Sequence, residues 1–243
     1  MIVFITGGAK NGKSSLAQDL ALDLAQGMTH YYIATMIPSD DEDLDRIRRH
    51  REDRAGMGFE TVECGRNILS CLEQVDPHGS FLLDSATALL LNELFPDPTS
   101  CEMDLDAARR CGEDLVTFAQ QVENIVIVSD YIYSDAQRYD AVTETYRSCL
   151  ARIDRALAAA ADTVLEVSAG TVFAHKGVYP LCSPISMPTP CANPCSAPSP
   201  VLGTSGMKTP GSICCCSCLW WDGSSDCCGG ASAGYWAYWA CRI

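Results

Sequence analysis

The sequence predicts an α/β domain with a mainly parallel sheet flanked by helices, and three observations carry that expectation. Apolar runs rich in Val and Ile alternate with longer segments of helical period, the pattern of repeated strand-helix units. The stretch TGGAKNGKSS, residues 6–15, lies between the apolar run MIVFI and the helical pattern LAQDLALDLAQ. It reads G-x-x-x-x-G-K-[ST] through Gly7, Gly12, Lys13 and Ser14, the phosphate-binding P-loop in its strand-then-helix setting. Finally, the apolar strand FLLD ends in Asp84, where P-loop folds place an acid that orients magnesium or its water shell. Together they specify a P-loop NTPase domain of the RecA-like kind.

Each element has its own signal. Strands are expected near 2–5 (IVFI), 31–34 (YYIA), 59–63 (FETVE), 80–84 (SFLLD), 125–129 (IVIVS) and 163–168 (TVLEVS), with 171–175 returning antiparallel. Helices are expected between them, at about 13–26, 41–53, 66–74, 86–95, 104–123 and 136–161. In the fifth of these, Leu105, Ala108, Leu115, Phe118, Ala119 and Val122 keep close to a 3.6 period, with Gly112 as a weak point.

Composition divides the chain. Of fifteen cysteines, ten follow residue 177, together with all four tryptophans and eight of twelve prolines. Residues 1–177 are therefore read as the domain, and 178–243 as a tail that is disordered or non-native. The tail has no sustained period, and its first half is rich in Pro, Ser and Gly. Its Cys215 and Cys218 form C-x-x-C with Cys227 and Cys228 nearby, which leaves a metal site, a disulfide-linked appendage, a frameshift product and an unexplained natural extension as readings. The domain holds 29 acidic and 15 basic residues within a chain of net charge −14, which argues against nucleic acid as a partner. No stretch approaches ~18 uninterrupted apolar residues, and no secretory pattern opens the chain, so a cytoplasmic enzyme is expected.

The P-loop carries the first chemistry. Glycines let successive N–H groups converge on phosphate oxygens while the following helix points its positive end at the same place. Lys13 is expected to reach the β/γ-phosphates and the Ser14 hydroxyl to ligate magnesium, with Asp84 as the second metal contact. Asp84 or Ser85 can equally cap the helix that follows. The run DDEDLDRIRRHREDR, residues 40–54, reads as a solvated helix with i,i+4 pairs such as Glu42 with Arg46 and Asp45 with Arg49. Within it His50 stands among Arg48, Arg49, Arg51 and Arg54, where an imidazole beside bound phosphates can attack phosphorus.

Beyond the P-loop, YIAT, RIRRHRE..R, TVE, LLDSAT...NEL and RIDRALAAAADTVLEVSAG follow in one order across residues 1–177. In this the chain resembles the bifunctional adenosylcobinamide kinase / adenosylcobinamide-phosphate guanylyltransferase family of cobalamin biosynthesis. The resemblance implies that ATP or GTP phosphorylates the aminopropanol hydroxyl of adenosylcobinamide. GTP then delivers GMP through a guanylylated histidine, here His50, to give adenosylcobinamide-GDP. It implies Mg2+, a homotrimer, and nucleotide contacts from Gly7, Gly8, Ala9, Lys10, Asn11, Gly12, Lys13, Ser14 and Ser15. Ala34, Thr35, Arg51, Glu52, Asp53, Arg54, Glu63 and Asp84 complete those contacts, and Asn92 matches a family asparagine of unassigned role.

Two segments depart from the pattern. Where the family has Asn-Glu-Val-Gly, this chain has Ser129, Asp130, Tyr131 and Ile132; where it has Gly-x-x-Asn-Gln, this chain has Ala151 through Arg155, with Asp154 at the Asn position. These departures bear on the acceptor more than on guanylyl chemistry. They leave two alternatives, another small-molecule P-loop kinase and a nucleotide-binding regulatory module without turnover.

Overall fold

The computed structural model describes residues 1–97, 100 and 102–178. The readings made for the tail, its C-x-x-C included, lie outside the described residues. The elements run β1 (Ile2–Gly7), α1 (Lys13–Ala25), β2 (His30–Ala34), α2 (Asp41–Asp53), β3 (Glu60–Glu63), a 3-10 turn (Ile68–Glu73) and β4 (Ser80–Asp84). They continue as α3 (Ala86–Leu94), α4 (Leu105–Gln121), β5 (Asn124–Asp130), α5 (Ala141–Ala160), β6 (Thr163–Ser168) and β7 (Thr171–Lys176). One seven-stranded sheet has the order β3-β2-β4-β5-β1-β6-β7, parallel except for β7, which pairs antiparallel with β6. This is the mainly parallel, helix-flanked sheet expected. The β1 strand that feeds the P-loop lies inside the sheet, and β5 separates it from β4, whose end carries Asp84.

Strand alternation splits the core in two, since successive side chains point to opposite faces. Phe4, Ile33, Phe81, Leu83, Ile125 and Ile127 face α3, α4 and α5, where Leu89, Leu115, Phe118 and Leu150 close the larger core. Val3, Ile5, Tyr32, Leu82, Val126 and Val128 face the other way onto Ala17, Leu20 and Ala21 of α1. Tyr31 and Tyr32, adjacent in sequence, therefore belong to different cores.

Three local features differ from the sequence reading: one element type, one helix start and one set of ion pairs. The segment expected as a helix at 66–74 is a 3-10 turn entered through Asn67 in the left-handed region, too short to bury a helical stripe. The last long helix begins at Ala141, five residues later than expected, because Asp140 caps it by accepting from Val142 and Thr143 N–H groups. On α2, Asp45 pairs with Arg48 at 2.9 Å, while Arg49 Nε donates to the Asp45 backbone carbonyl. The expected Asp45–Arg49 ion pair does not form, and neither does Glu42–Arg46 among the described residues.

Gly7 ends β1 where it runs closest to β6. A Cβ placed there would stand 2.4 Å from the Val167 carbonyl oxygen, a backbone atom that cannot swing aside. Gly7→Ala is therefore expected to lose about 1–3 kcal/mol, the cost of overpacking. The urea midpoint should fall with an unchanged slope. A stability equal to the parent's would show that β1 and β6 separate at no cost.

Candidate active site

The carboxyl ends of the parallel strands bring Gly7, Ala34, Glu63, Asp84 and Asp130 to one edge of the sheet. Open α/β sheets bind ligands at this edge. The P-loop crosses it in the conformation its residues demand: Gly12 has φ 87° and Lys10 has φ 58°. At Gly12 a side chain would meet no neighbour, so glycine is required there by the backbone dihedral alone. Asn11 ties the loop to β6 through a 3.3 Å bond from Nδ2 to the Val167 carbonyl.

Lys13 opens α1 and is buried. Its ammonium donates to the Gly8 carbonyl at 2.5 Å and pairs with Asp130 Oδ1 at 2.7 Å. The lysine that sequence assigns to phosphate is thus held across the loop by an acid at the end of the adjacent strand. Ser14, half-buried, follows in the first turn of α1.

Asp84 is held from the side. Tyr32 Oη donates to Asp84 Oδ2 at 3.1 Å, and burial together with that carboxylate pushes the phenol well above its ordinary range. The helix cap falls to Ser85, whose hydroxyl accepts from Ala88 N–H, so Asp84 is free of that duty. Thr35, fully buried, clamps the same turn: its Oγ1 accepts from Ser85 N–H at 2.8 Å and donates to the Ser85 carbonyl at 2.9 Å.

Arg54 lies over the Tyr32 ring with its guanidinium carbon 3.4 Å from the ring centroid. It is buried, and its Nη1 has no hydrogen-bond partner. An unmet buried donor costs about 1–3 kcal/mol, more when charged, so an anion at this place would be strongly favoured. Arg51, on the exposed side, pairs with Glu63 at the end of β3. His50, half-buried, sits one turn before Arg54, whose backbone N–H donates to the His50 carbonyl.

These two arginines matter because α2 has little else to hold it. Asp43 is its only buried residue, accepting from Ser39 N–H and Oγ at 3.1 and 3.0 Å. The helix is shaped by its ends: Asp40 caps the N-terminus, acids fill the first turn, and His50 and Arg51 fill the last, as the helix dipole favours. Glu52 and Asp53 are exposed on its last turn.

The structure assigns Asn92 a place that sequence could not. From α3 its Nδ2 donates to the Thr35 and Gly65 carbonyls at 2.8 and 2.9 Å, joining the chain just beyond β2 to the chain just beyond β3.

The two departures in sequence meet in space. Ser129 Oγ donates to Asp154 Oδ1 at 2.8 Å, and Tyr133 Oη donates to Asp154 Oδ2 at 2.8 Å. Thr87 joins them: its Oγ1 lies 3.3 Å from Ser129 Oγ and accepts from Asp130 N–H at 2.9 Å. Changes 25 residues apart in the chain thus satisfy one another behind Asp130. Only the rarity of an acid in the apolar face of α5 could have signalled this beforehand.

Burial raises the Asp154 carboxyl from 3.8 to about 6, with the Ser129 and Tyr133 bonds opposing and Asp130 reinforcing the rise. The folded protein therefore holds this proton more tightly than the unfolded chain does. Below pH 3.8 both states are protonated and Asp154 adds nothing; as pH rises toward 6 the native state is progressively penalised, and above 6 the penalty is constant. Asp154→Asn removes the term. Relative to the parent, its stability should gain up to about 3 kcal/mol between pH 4 and 7, read from unfolding curves at each pH. A difference that does not vary with pH would place the carboxyl's titration elsewhere.

Among the described residues no cluster of three or more His, Cys, Asp or Glu side chains could cage a metal, and no helix is long and apolar enough to cross a membrane. An apolar cleft lies between α4 and α5, lined by Ala108, Val116, Cys149, Ile153 and Ala156 and rimmed by Arg109, Glu113 and Arg152; none of the P-loop residues lines it.

Comparison with known proteins gives the family. Residues 3–174 match the family described as cobinamide kinase / cobinamide phosphate guanyltransferase. The bifunctional adenosylcobalamin biosynthesis protein CobU of Salmonella typhimurium is 30% identical over 181 residues, covering 70% of this chain and 97% of that protein. Its Escherichia coli counterpart of the same name is 29% identical over 179 residues, with the same coverage. Among solved structures, the KaiC-like protein PH0186 from Pyrococcus horikoshii is similar with a TM-score of 0.42 at 15% identity, covering 72% of this chain and 78% of that one.

Proposed function

Because the chain belongs to the cobinamide kinase / cobinamide phosphate guanyltransferase family, we propose that it performs both reactions at the strand-end site. ATP or GTP phosphorylates adenosylcobinamide; GTP then guanylylates His50, and the corrinoid phosphate takes the GMP. The observation that carries this reading is the convergence on one sheet edge of a buried P-loop lysine and a histidine-bearing helix tethered by two arginines.

Binding follows from the loop. Backbone N–H groups of Gly8 to Ser15 and the start of α1 offer donors and a positive potential to phosphate oxygens. Lys13 exchanges its Gly8 and Asp130 partners for the β/γ-phosphates. Arg54, with an unmet donor already buried, and Arg51 offset charge beside His50. The imidazole nitrogen attacks the α-phosphorus, the bond to the bridging oxygen breaks, and pyrophosphate leaves with the electron pair. Attack by the corrinoid phosphate then releases His50 unchanged.

Magnesium fits the residues present. The Ser14 hydroxyl and the Asp84 oxygen not engaged by Tyr32 are hard donors, and this ion needs one or two such groups plus substrate phosphates rather than a protein cage. When bound it would neutralise phosphate charge. Residues 1–177 form the working domain in this reading, acting in the cytoplasm as a homotrimer, with the corrinoid as partner and no nucleic acid.

The test is incubation with magnesium and GTP labelled at the α-phosphate. Acid-labile, base-stable label should remain on the protein. Binding of GTP without label would leave a simple kinase as the better account.

A further inference from the structure

We propose that Asp130 is the general base of the kinase step, taking the proton from the acceptor hydroxyl as it attacks the γ-phosphorus. The inference rests on the kinase reading above and assigns a role that the P-loop pattern itself does not contain.

An alcohol needs a proton acceptor within hydrogen-bond reach as its oxygen bonds to phosphorus. The acceptor must stand near the γ-phosphate, so the carboxylates along the strand ends are the candidates. Glu63 is paired with Arg51 and strongly exposed at the far end of the sheet. Asp84 receives the Tyr32 hydroxyl and is the metal donor. Glu166 pairs with His175 at 2.7 Å on the other side of β1. Asp130 alone of these lies against Lys13, the side chain that follows the terminal phosphates, at 2.7 Å.

Its setting suits the task. β5 lies between β1 and β4, so Asp130 stands between the P-loop and Asp84. Its backbone is fixed on both sides, by pairing with Gly7 and by the bond to Thr87 Oγ1. The side chain is 27% exposed, so an acceptor can reach it, whereas Lys13 is 6% exposed. When phosphate draws Lys13 away, the carboxylate loses its ion-pair partner at the place where the hydroxyl must arrive. In the step itself the hydroxyl oxygen bonds to the γ-phosphorus and its proton passes to an Asp130 oxygen. The bond from phosphorus to the β,γ-bridging oxygen breaks, and the nucleoside diphosphate leaves with that electron pair.

The experiment compares the full chain with Asp130→Asn and Asp130→Glu. Three quantities are measured: kcat and KM for ATP-dependent phosphorylation of adenosylcobinamide across pH, ATP affinity, and label uptake from α-labelled GTP. Asp130→Asn should lower kinase kcat about 10²–10⁴-fold, flatten the acid limb of its pH profile, and leave ATP binding as tight or tighter. Label uptake, which deprotonates no hydroxyl, should fall far less, and Asp130→Glu should recover a substantial part of kcat. Unchanged kcat with tighter ATP binding would overturn the proposal, showing that Asp130 only parks Lys13. Equal loss of phosphorylation and label would overturn it too, as collapse of the loop. A parent that neither phosphorylates nor takes label refutes the proposed function itself, and the role of Asp130 with it.

Discussion

His50→Ala should abolish covalent uptake of GMP and formation of adenosylcobinamide-GDP, while phosphorylated adenosylcobinamide still forms and accumulates. The residues flanking His50 on α2 are arginines and acids: arginine stays protonated and cannot attack phosphorus, and an adduct on a carboxylate would be a base-labile acyl phosphate, not the base-stable label expected of His50. The loss should therefore approach the limit of detection rather than a modest factor. The fold should not be affected, because α2 buries only Asp43 and His50 makes no side-chain bond that the sheet depends on. Far-UV circular dichroism and the thermal midpoint should match the parent. Retained label in this variant would move the covalent step to another residue, and simultaneous loss of both products would mean that His50 serves nucleotide binding instead.

Lys13→Ala should lower kinase kcat by about 10²–10³-fold, the cost of removing one preorganised charge from a developing negative centre. Two effects combine. The β/γ-phosphates lose a cation that the fold keeps buried within the loop, and Asp130 is left facing them without its 2.7 Å partner. The second effect predicts a specific rescue. Lys13→Ala combined with Asp130→Asn should bind ATP more tightly than Lys13→Ala alone, because a repelling carboxylate has gone, but should not regain turnover. Calorimetric titration of both variants measures this. An affinity no greater than that of Lys13→Ala alone would show that the two side chains do not face the same phosphate.

The fold was legible because its signals are local. Near-continuous burial in β1, β2, β4 and β5 and the glycine-punctuated loop follow from short apolar runs and dihedral preference. The antiparallel return of β7 was also foreseen. The P-loop residues and Asp84 could be placed for the same reason, since strand ends and helix starts are fixed in sequence. What could not be read was the meeting of side chains from distant elements. Tyr32 was legible only as a strand residue of YIAT; alternation turns it away from Tyr31 and toward Asp84 and Arg54. Asn92 matched a family asparagine without an assigned role, and its reach to two strand ends gives it a structural one. Ser129 and Asp154 are separate departures from the family pattern in sequence; in space they make one hydrogen-bonded pair. Arg54, which closes the run read as a solvated helix, is buried against an aromatic face.

The weak attachment of α2 separates two kinds of labour. Phosphate recognition is built on the stiffest part of the molecule, strands paired on both sides. The group proposed to carry GMP rides on a segment moored by an arginine stacked on a ring and another reaching a strand end. Such an arm can lean toward the nucleotide to be loaded and away from it to be discharged without disturbing the sheet.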